Sequence, residues 1–169
     1  MNIFILEGIS SKIDWKKSAQ SLDNWRVNKM ILENVQMLST TLNQQGLSTT
    51  YKSFNPRHPC CLWVSSSSVN FQTLVEHTKY LLEERKTRFK NPHHKCEIAL
   101  KTIESLFQPN LFKSHIFSSP PLCVPVEFKT SDLIVSYRNF YLSKKNMIYP
   151  KNKIPKWFQE SRKIPYKII

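Results

Sequence analysis

Glycine is nearly missing from this chain: Gly8 and Gly46 are the only two in 169 residues. Phosphate-cradling P-loops and dinucleotide fingerprints need several glycines in one turn, so neither can be built here. The same scarcity disfavours a β-sandwich of tight hairpins. Acids are also few, 12 against 25 lysines and arginines. No stretch approaches the ~18 uninterrupted apolar residues of a membrane-spanning helix. Ile3 to Leu6 is apolar, but it ends at Glu7 and no basic region precedes it. No signal peptide is therefore expected. No CxxC pair occurs among Cys60, Cys61, Cys96 and Cys123. Adjacent cysteines do not readily pair with each other, so reduced thiols and a cytoplasmic location are expected. Nucleophilic-serine, Walker, HExxH and paired-carboxylate motifs are absent as well.

What is present describes one domain. The length suits a single core, and 40% hydrophobic with 12% aromatic residues excludes a disordered chain. The net charge of +13 calls for a polyanionic partner. Nucleic acid is the first choice, and an anionic membrane surface is the weaker one. No cofactor and no obligate protein partner is indicated, and a monomer is expected.

The strongest local pattern is DNWRVNKMILENVQMLSTTL, Asp23 to Leu42. Wound at about 100° per residue, it places Val27, Met30, Ile31, Val35, Leu38 and Leu42 in one apolar arc. Arg26, Lys29, Glu33, Gln36 and Thr40 fall in a polar arc roughly 80° wide. Asp23 or Asn24 can cap the start, and Gly46 can stop the end. The spacing predicts a central helix over about 23–44 and an all-α, compact helical bundle around it. One reading of the polar arc is a solvated salt-bridge stripe, with Arg26 and Lys29 paired to Glu33. The other is a carboxylate held among cations, as a site for an anionic substrate requires.

Around that helix, Asn2 to Leu6 reads as a short buried extended segment. Leu47 to Pro59 is a loop, with Lys52, Arg57 and His58 where side chains can face a ligand. A short helix follows Pro59, and serine caps a longer one running to about Arg88, whose end is basic. Cys96 to Phe107 gives another helix, Pro109 to Pro125 an irregular stretch, and Ser131 or Asp132 a cap for a helix through Tyr141. The tail from Lys144 carries eight lysines or arginines with Trp157, Phe158 and Tyr166. That texture suits nucleic-acid binding through an irregular basic tail, or equally a tail whose aromatics dock on the core. His93, His94 and Cys96 match no common zinc spacing, so no metal site is expected.

Several motifs carry a family resemblance. NWRVNKMILENVQMLST resembles the signature D-K-H/R-V-V-K-M-x-L-E-x-x-Q-x-L of a phage and bacterial family. RHPCCLWV resembles its NHPCxxW, and Asn70-Phe71 its N-Y pair. LLEERKTRFKNPHHK, SYRNFYLSKK and KIPKWF resemble further elements in the same order, over nearly the whole chain. That family is similar to pyrimidine-dimer DNA glycosylases of the phage endonuclease V type, which are compact, basic and all-α. The resemblance implies removal of a damaged pyrimidine from DNA followed by cleavage at the abasic site. It makes Glu33 the catalytic carboxylate and an N-terminal α-amine the nucleophile. Asn24 and Arg26 stand where those enzymes have an Asp-x-His pair, and Phe89-Lys90 where the family has Y-G. Asn2 is too large for ordinary methionine trimming, so the amine would be that of Met1.

On this reading Arg26, Lys29, Gln36, Arg57, His58, Arg88, Lys95 and Trp157 are the candidate DNA contacts. Phe54, Trp63 or Trp157 could stack on an exposed base. The setting would be a host cytoplasm or nucleoid. The rival is a non-catalytic nucleic-acid-binding protein of viral or phage type, and a third possibility is a viral structural protein. Glu33 separates the first two, because an acid in a basic groove weakens phosphate contact and is useful only to chemistry.

Overall fold

A computed structural model describes residues 1–161 and 166–169. The fold is mostly helical, as the periodicity predicts. Its helices are α1 (Trp15–Gln20), α2 (Asn24–Gln44), α3 (Pro59–Ser66), α4 (Ser68–Arg88), α5 (Cys96–Leu106), α6 (Leu133–Leu142) and α7 (Lys156–Glu160). Short strands are added: β1 (Gly8–Ile9) pairs antiparallel with β2 (Lys12–Ile13), and β3 (Met147–Tyr149) pairs parallel with β4 (Tyr166–Ile168). No helix among the described residues is long and apolar enough to cross a membrane.

Helix α2 is central because its apolar arc meets neighbours on several sides. It packs most extensively on α4, and also on α3, α5 and β3. Val27, Met30, Ile31, Val35, Leu38 and Leu42 are all buried. Its N-terminus is fixed by Asp23, fully buried, whose carboxylate accepts from Trp25 N–H at 3.1 Å, Arg26 at 2.6 Å and the Tyr141 hydroxyl at 2.6 Å. Tyr141 Oη in turn accepts from Asp23 N–H at 2.7 Å, so α6 is locked to the start of α2.

The extended N-terminal segment is buried from Ile3 to Leu6 without a strand partner. Its backbone groups find side chains instead. Ser18 Oγ accepts from the N–H groups of Leu6 and Glu7, both at 3.1 Å. Arg138 Nε donates to the Leu6 carbonyl at 2.7 Å. Gly8 then turns the chain at φ +107°, where an added Cβ would lie 2.4 Å from the Lys12 carbonyl oxygen.

The tail departs from the irregular segment predicted from Lys144 onward. Met147, Tyr149 and Phe158 are buried, and Tyr149 contacts the rings of Phe158 and Tyr166. The aromatics interleaved with its lysines pack in or against the core, Lys145, Lys151, Lys156 and Lys167 are exposed, and Lys153 turns inward to Glu84 at 3.3 Å. Arg162 and Lys163 of the tail lie outside the described residues.

Candidate functional site

The N-terminus lies against α2 because Asn2 is fastened at several points. Its backbone N–H donates to Glu33 Oε2 at 2.9 Å. Its side-chain amide donates to the Cys123 carbonyl at 2.9 Å and accepts from Ile3 N–H at 2.8 Å. Met1 and Glu33 therefore line the same cavity, of about 370 Å³. Phe4 and Phe140 contribute apolar wall, and Trp25, Arg26, Lys29 and Lys144 the remainder of the rim. A wider groove of about 850 Å³ lies between the β1–β2 hairpin, α1 and α4. Its lining is largely apolar, and its two acids, Asp14 and Glu76, are matched by two lysines, Lys12 and Lys16.

In the smaller cavity Glu33 is the single acid among the lining residues, with Arg26, Lys29 and Lys144 around it. Its side chain is 13% exposed, and Lys29 Nζ stands 3.5 Å from Oε1. Both earlier readings of the polar arc thus meet in one residue: the salt bridge exists, and the carboxylate also faces a cavity. Burial, reinforced by the positive charges of Arg26 and Lys29, lowers the Lys144 amine below the ordinary lysine range. Burial also lowers His58, as does the N-terminal amine, while Glu33 pulls it the other way. His58, the N-terminus and Glu33 therefore share one electrostatic neighbourhood.

The candidate DNA contacts divide. Lys29 is half-exposed at the cavity rim. Arg26 reaches the same rim but is buried, paired with Asp23 at 2.6 Å and stacked 5.4 Å from the Tyr141 ring centroid. It shapes the cavity rather than standing as a free cation. Gln36 is half-buried one turn beyond Glu33 and does not line the cavity. The polar arc ends there, since Thr40 is buried and its hydroxyl accepts from Phe54 N–H at 2.9 Å. Arg57 is exposed in the turn before α3, and His58 Nδ1 caps α3 by accepting from Cys60 N–H at 3.1 Å. Lys95 is exposed at the start of α5, away from the cavity lining.

Two of the candidates are engaged by the protein itself. The Arg88 side chain is 0% exposed and pairs with Glu84 at 2.8 Å. It also donates to the carbonyls of Leu22 at 2.5 Å and Gln20 at 2.7 Å. It ties the end of α4 to the α1–α2 turn and is not a surface contact. Trp157 is half-buried, donates from Nε1 to Glu7 at 2.8 Å, and lies under Arg138 at 4.9 Å. It docks the tail. Among the other proposed stacking residues, Trp63 is buried with Nε1 donating to the Ser118 carbonyl at 2.8 Å, whereas Phe54 is 53% exposed.

The sequence reading missed Trp25, Lys144 and Cys123. Trp25 is 61% exposed at the cavity rim, with Lys29 Nζ 5.9 Å from its ring centroid and Arg26 Cζ at 5.7 Å. Its i,i+4 relation to Lys29 and i,i+8 relation to Glu33 carried that signal. Lys144 and Cys123 reach the site only through tertiary structure, and nothing local marks them. Cys123 Sγ accepts from the Cys60 thiol at 3.5 Å. That bond draws Cys123 down to about 7 and, together with burial, pushes Cys60 up.

No family model, no curated protein and no solved structure matches this chain.

Proposed function

We propose that the protein is a DNA-damage-processing glycosylase and abasic-site lyase acting on modified or dimerised pyrimidines, with Glu33 as its catalytic carboxylate. The observation that carries this reading is the 2.9 Å bond from Asn2 N–H to Glu33, which brings the chain terminus to the lone acid of a cationic cavity. A phosphate-binding groove gains nothing from such an acid. A glycosidic bond that breaks toward an oxocarbenium ion does gain, because the carboxylate stabilises positive charge developing on the sugar.

Met1 lines the same cavity, and its α-amine is the proposed nucleophile. Its nitrogen attacks C1′, the bond from C1′ to the base breaks, and the base leaves with the electron pair. Loss of a proton from nitrogen and opening of the sugar ring give an imine, which acidifies C2′; loss of a C2′ proton then expels the 3′ phosphate with the C3′–O electron pair and cuts the strand. Glu33 would take the proton. Lys144 also lines the cavity, and its lowered basicity makes it the alternative nucleophile. Trp25 would stack on a base or sugar exposed by extrusion, whose cost is least at a damaged pair. Lys29 and the exposed lysines of the tail would hold the phosphates.

Borohydride trapping on abasic and UV-irradiated duplexes tests this, because reduction of the imine links the protein to the sugar. A trapped adduct mapped to Met1 is the expected result. An adduct on Lys144 would keep the lyase and move the nucleophile. Binding of the duplexes with no adduct and no strand cleavage would leave a non-catalytic nucleic-acid-binding protein and contradict the proposal.

A further inference from the structure

Beside the cavity, three side chains that nothing in the proposed chemistry uses converge. His58, Cys60 and Cys123 each offer one nitrogen or sulfur atom, and these atoms lie within 4.8 Å of one another. The two sulfurs are 3.5 Å apart. Tetrahedral zinc with metal–sulfur bonds of about 2.3 Å sets its sulfurs roughly 3.8 Å apart, so the pair needs only a small adjustment. His58 and Cys60 come from the first turn of α3, and Cys123 from the irregular stretch before α6. Sequence spacing hides the set, because Cys123 lies 63 positions after Cys60 and no paired-cysteine knuckle is present.

We propose that His58, Cys60 and Cys123 bind one zinc-class divalent cation. Two thiolates and a neutral imidazole balance its charge, and a mixed nitrogen and sulfur set suits zinc over calcium or magnesium. Binding releases the thiol protons, including the one Cys60 now shares with Cys123. The protein supplies three donors, and water fills the fourth position. The cost is local: Nδ1 of His58 accepts from Cys60 N–H at 3.1 Å, and that capping bond yields if the metal takes the same lone pair. A disulfide is the competing fate of two close sulfurs. It gives no role to the histidine that completes the set.

The ion would act as a staple. The Cys123 carbonyl accepts from the Asn2 side chain at 2.9 Å, and the Asn2 N–H holds Glu33 at 2.9 Å. Fixing Cys123 to α3 therefore fixes the wall on which the N-terminus leans. This role is independent of whether the cavity cleaves DNA.

The test is titration of reduced, metal-free full-length protein with cobalt(II), followed by zinc. Thiolate-to-cobalt charge-transfer absorption saturating at one equivalent, and abolished by one equivalent of zinc, is expected. Cys60→Ser and Cys123→Ser should each lose much of that absorption, and His58→Gln should weaken binding. Cys96→Ser, far from the set in sequence and held instead by Tyr51 at 3.4 Å, should titrate like the wild type. Zinc should raise the melting temperature of the wild type and leave that of Cys123→Ser unchanged, with circular dichroism confirming that each variant is folded. Absence of charge-transfer absorption in the folded wild type would overturn the proposal. So would absorption undiminished by Cys123→Ser, or a Cys60–Cys123 disulfide that forms in air in the presence of stoichiometric zinc.

Discussion

Arg88 and Lys29 carry the same charge and do opposite work. Sequence places both on helices beside acids four residues away, Glu84 for one and Glu33 for the other. Arg88 is enclosed, and its pair with Glu84 is completed by Lys153 at 3.3 Å from the same carboxylate oxygen. Removing one partner of a buried pair strands the other in a poorly solvated place. Arg88→Ala should therefore destabilise the fold by about 3–5 kcal/mol. Lys29→Ala, in a half-exposed pair, should cost about 1 kcal/mol or less. Chemical denaturation of the two variants checks the contrast; an Arg88→Ala midpoint equal to the wild type would show that its bonds hold nothing. Glu33 lies between these cases, since it keeps a surface lysine and a backbone N–H while facing a cavity.

At the scale of elements, the longer helices were legible, while the short α1 and α7 and the docking of all of them were not. The capping residues and apolar spacing of Asp23–Leu42 and of Val69–Phe89 define α2 and α4 to within a residue or two, because both signals are local. The strands of the tail were not legible, since β3 is three residues long and pairs with β4 seventeen or more residues later. The basic-aromatic texture was ambiguous for the same reason: only packing decides which aromatics are core. Helix α1 joins α4 through His77, whose ring lies 5.3 Å from that of Trp15 and whose Nδ1 contacts the Trp15 carbonyl at 3.1 Å. Burial holds this imidazole down to about 4, against an ordinary value of 6.5. The folded state therefore binds its proton less readily than the unfolded state, and stability rises with pH between about 4 and 6.5. As pH falls through that window the contribution lost should total about 3 kcal/mol, with no further loss from this group below it. Urea midpoints measured from pH 7 to pH 4 should fall for the wild type and fall less for His77→Asn, whose amide can still donate to the Trp15 carbonyl. Parallel pH profiles for the two proteins would remove His77 as the cause.

At the scale of the whole molecule, the fold converts a charge balance into a located site. A net charge of +13 leads one to expect an anionic partner but does not say where it would bind. The chain answers by folding its own terminus onto α2, so that Met1, Glu33, Trp25 and Lys144, from both ends of the sequence, border one cavity. Glu33 and Lys29 were legible, because an acid among cations on one helical face stands out against a basic composition. Lys144 and the arrival of Asn2 were not, because only tertiary packing brings residues so far apart in sequence into contact. The most direct test of the central claim is strand cleavage of UV-irradiated and abasic duplexes by wild type and Glu33→Gln, with melting temperatures in parallel. Glutamine keeps an oxygen to accept the Asn2 N–H, so the fold and DNA affinity should be retained, with binding equal or tighter as a negative charge leaves a basic rim. Cleavage should fall by about 100- to 1000-fold, as when a central electrostatic group is removed. Equal cleavage by the two proteins at equal stability would contradict the catalytic assignment of Glu33.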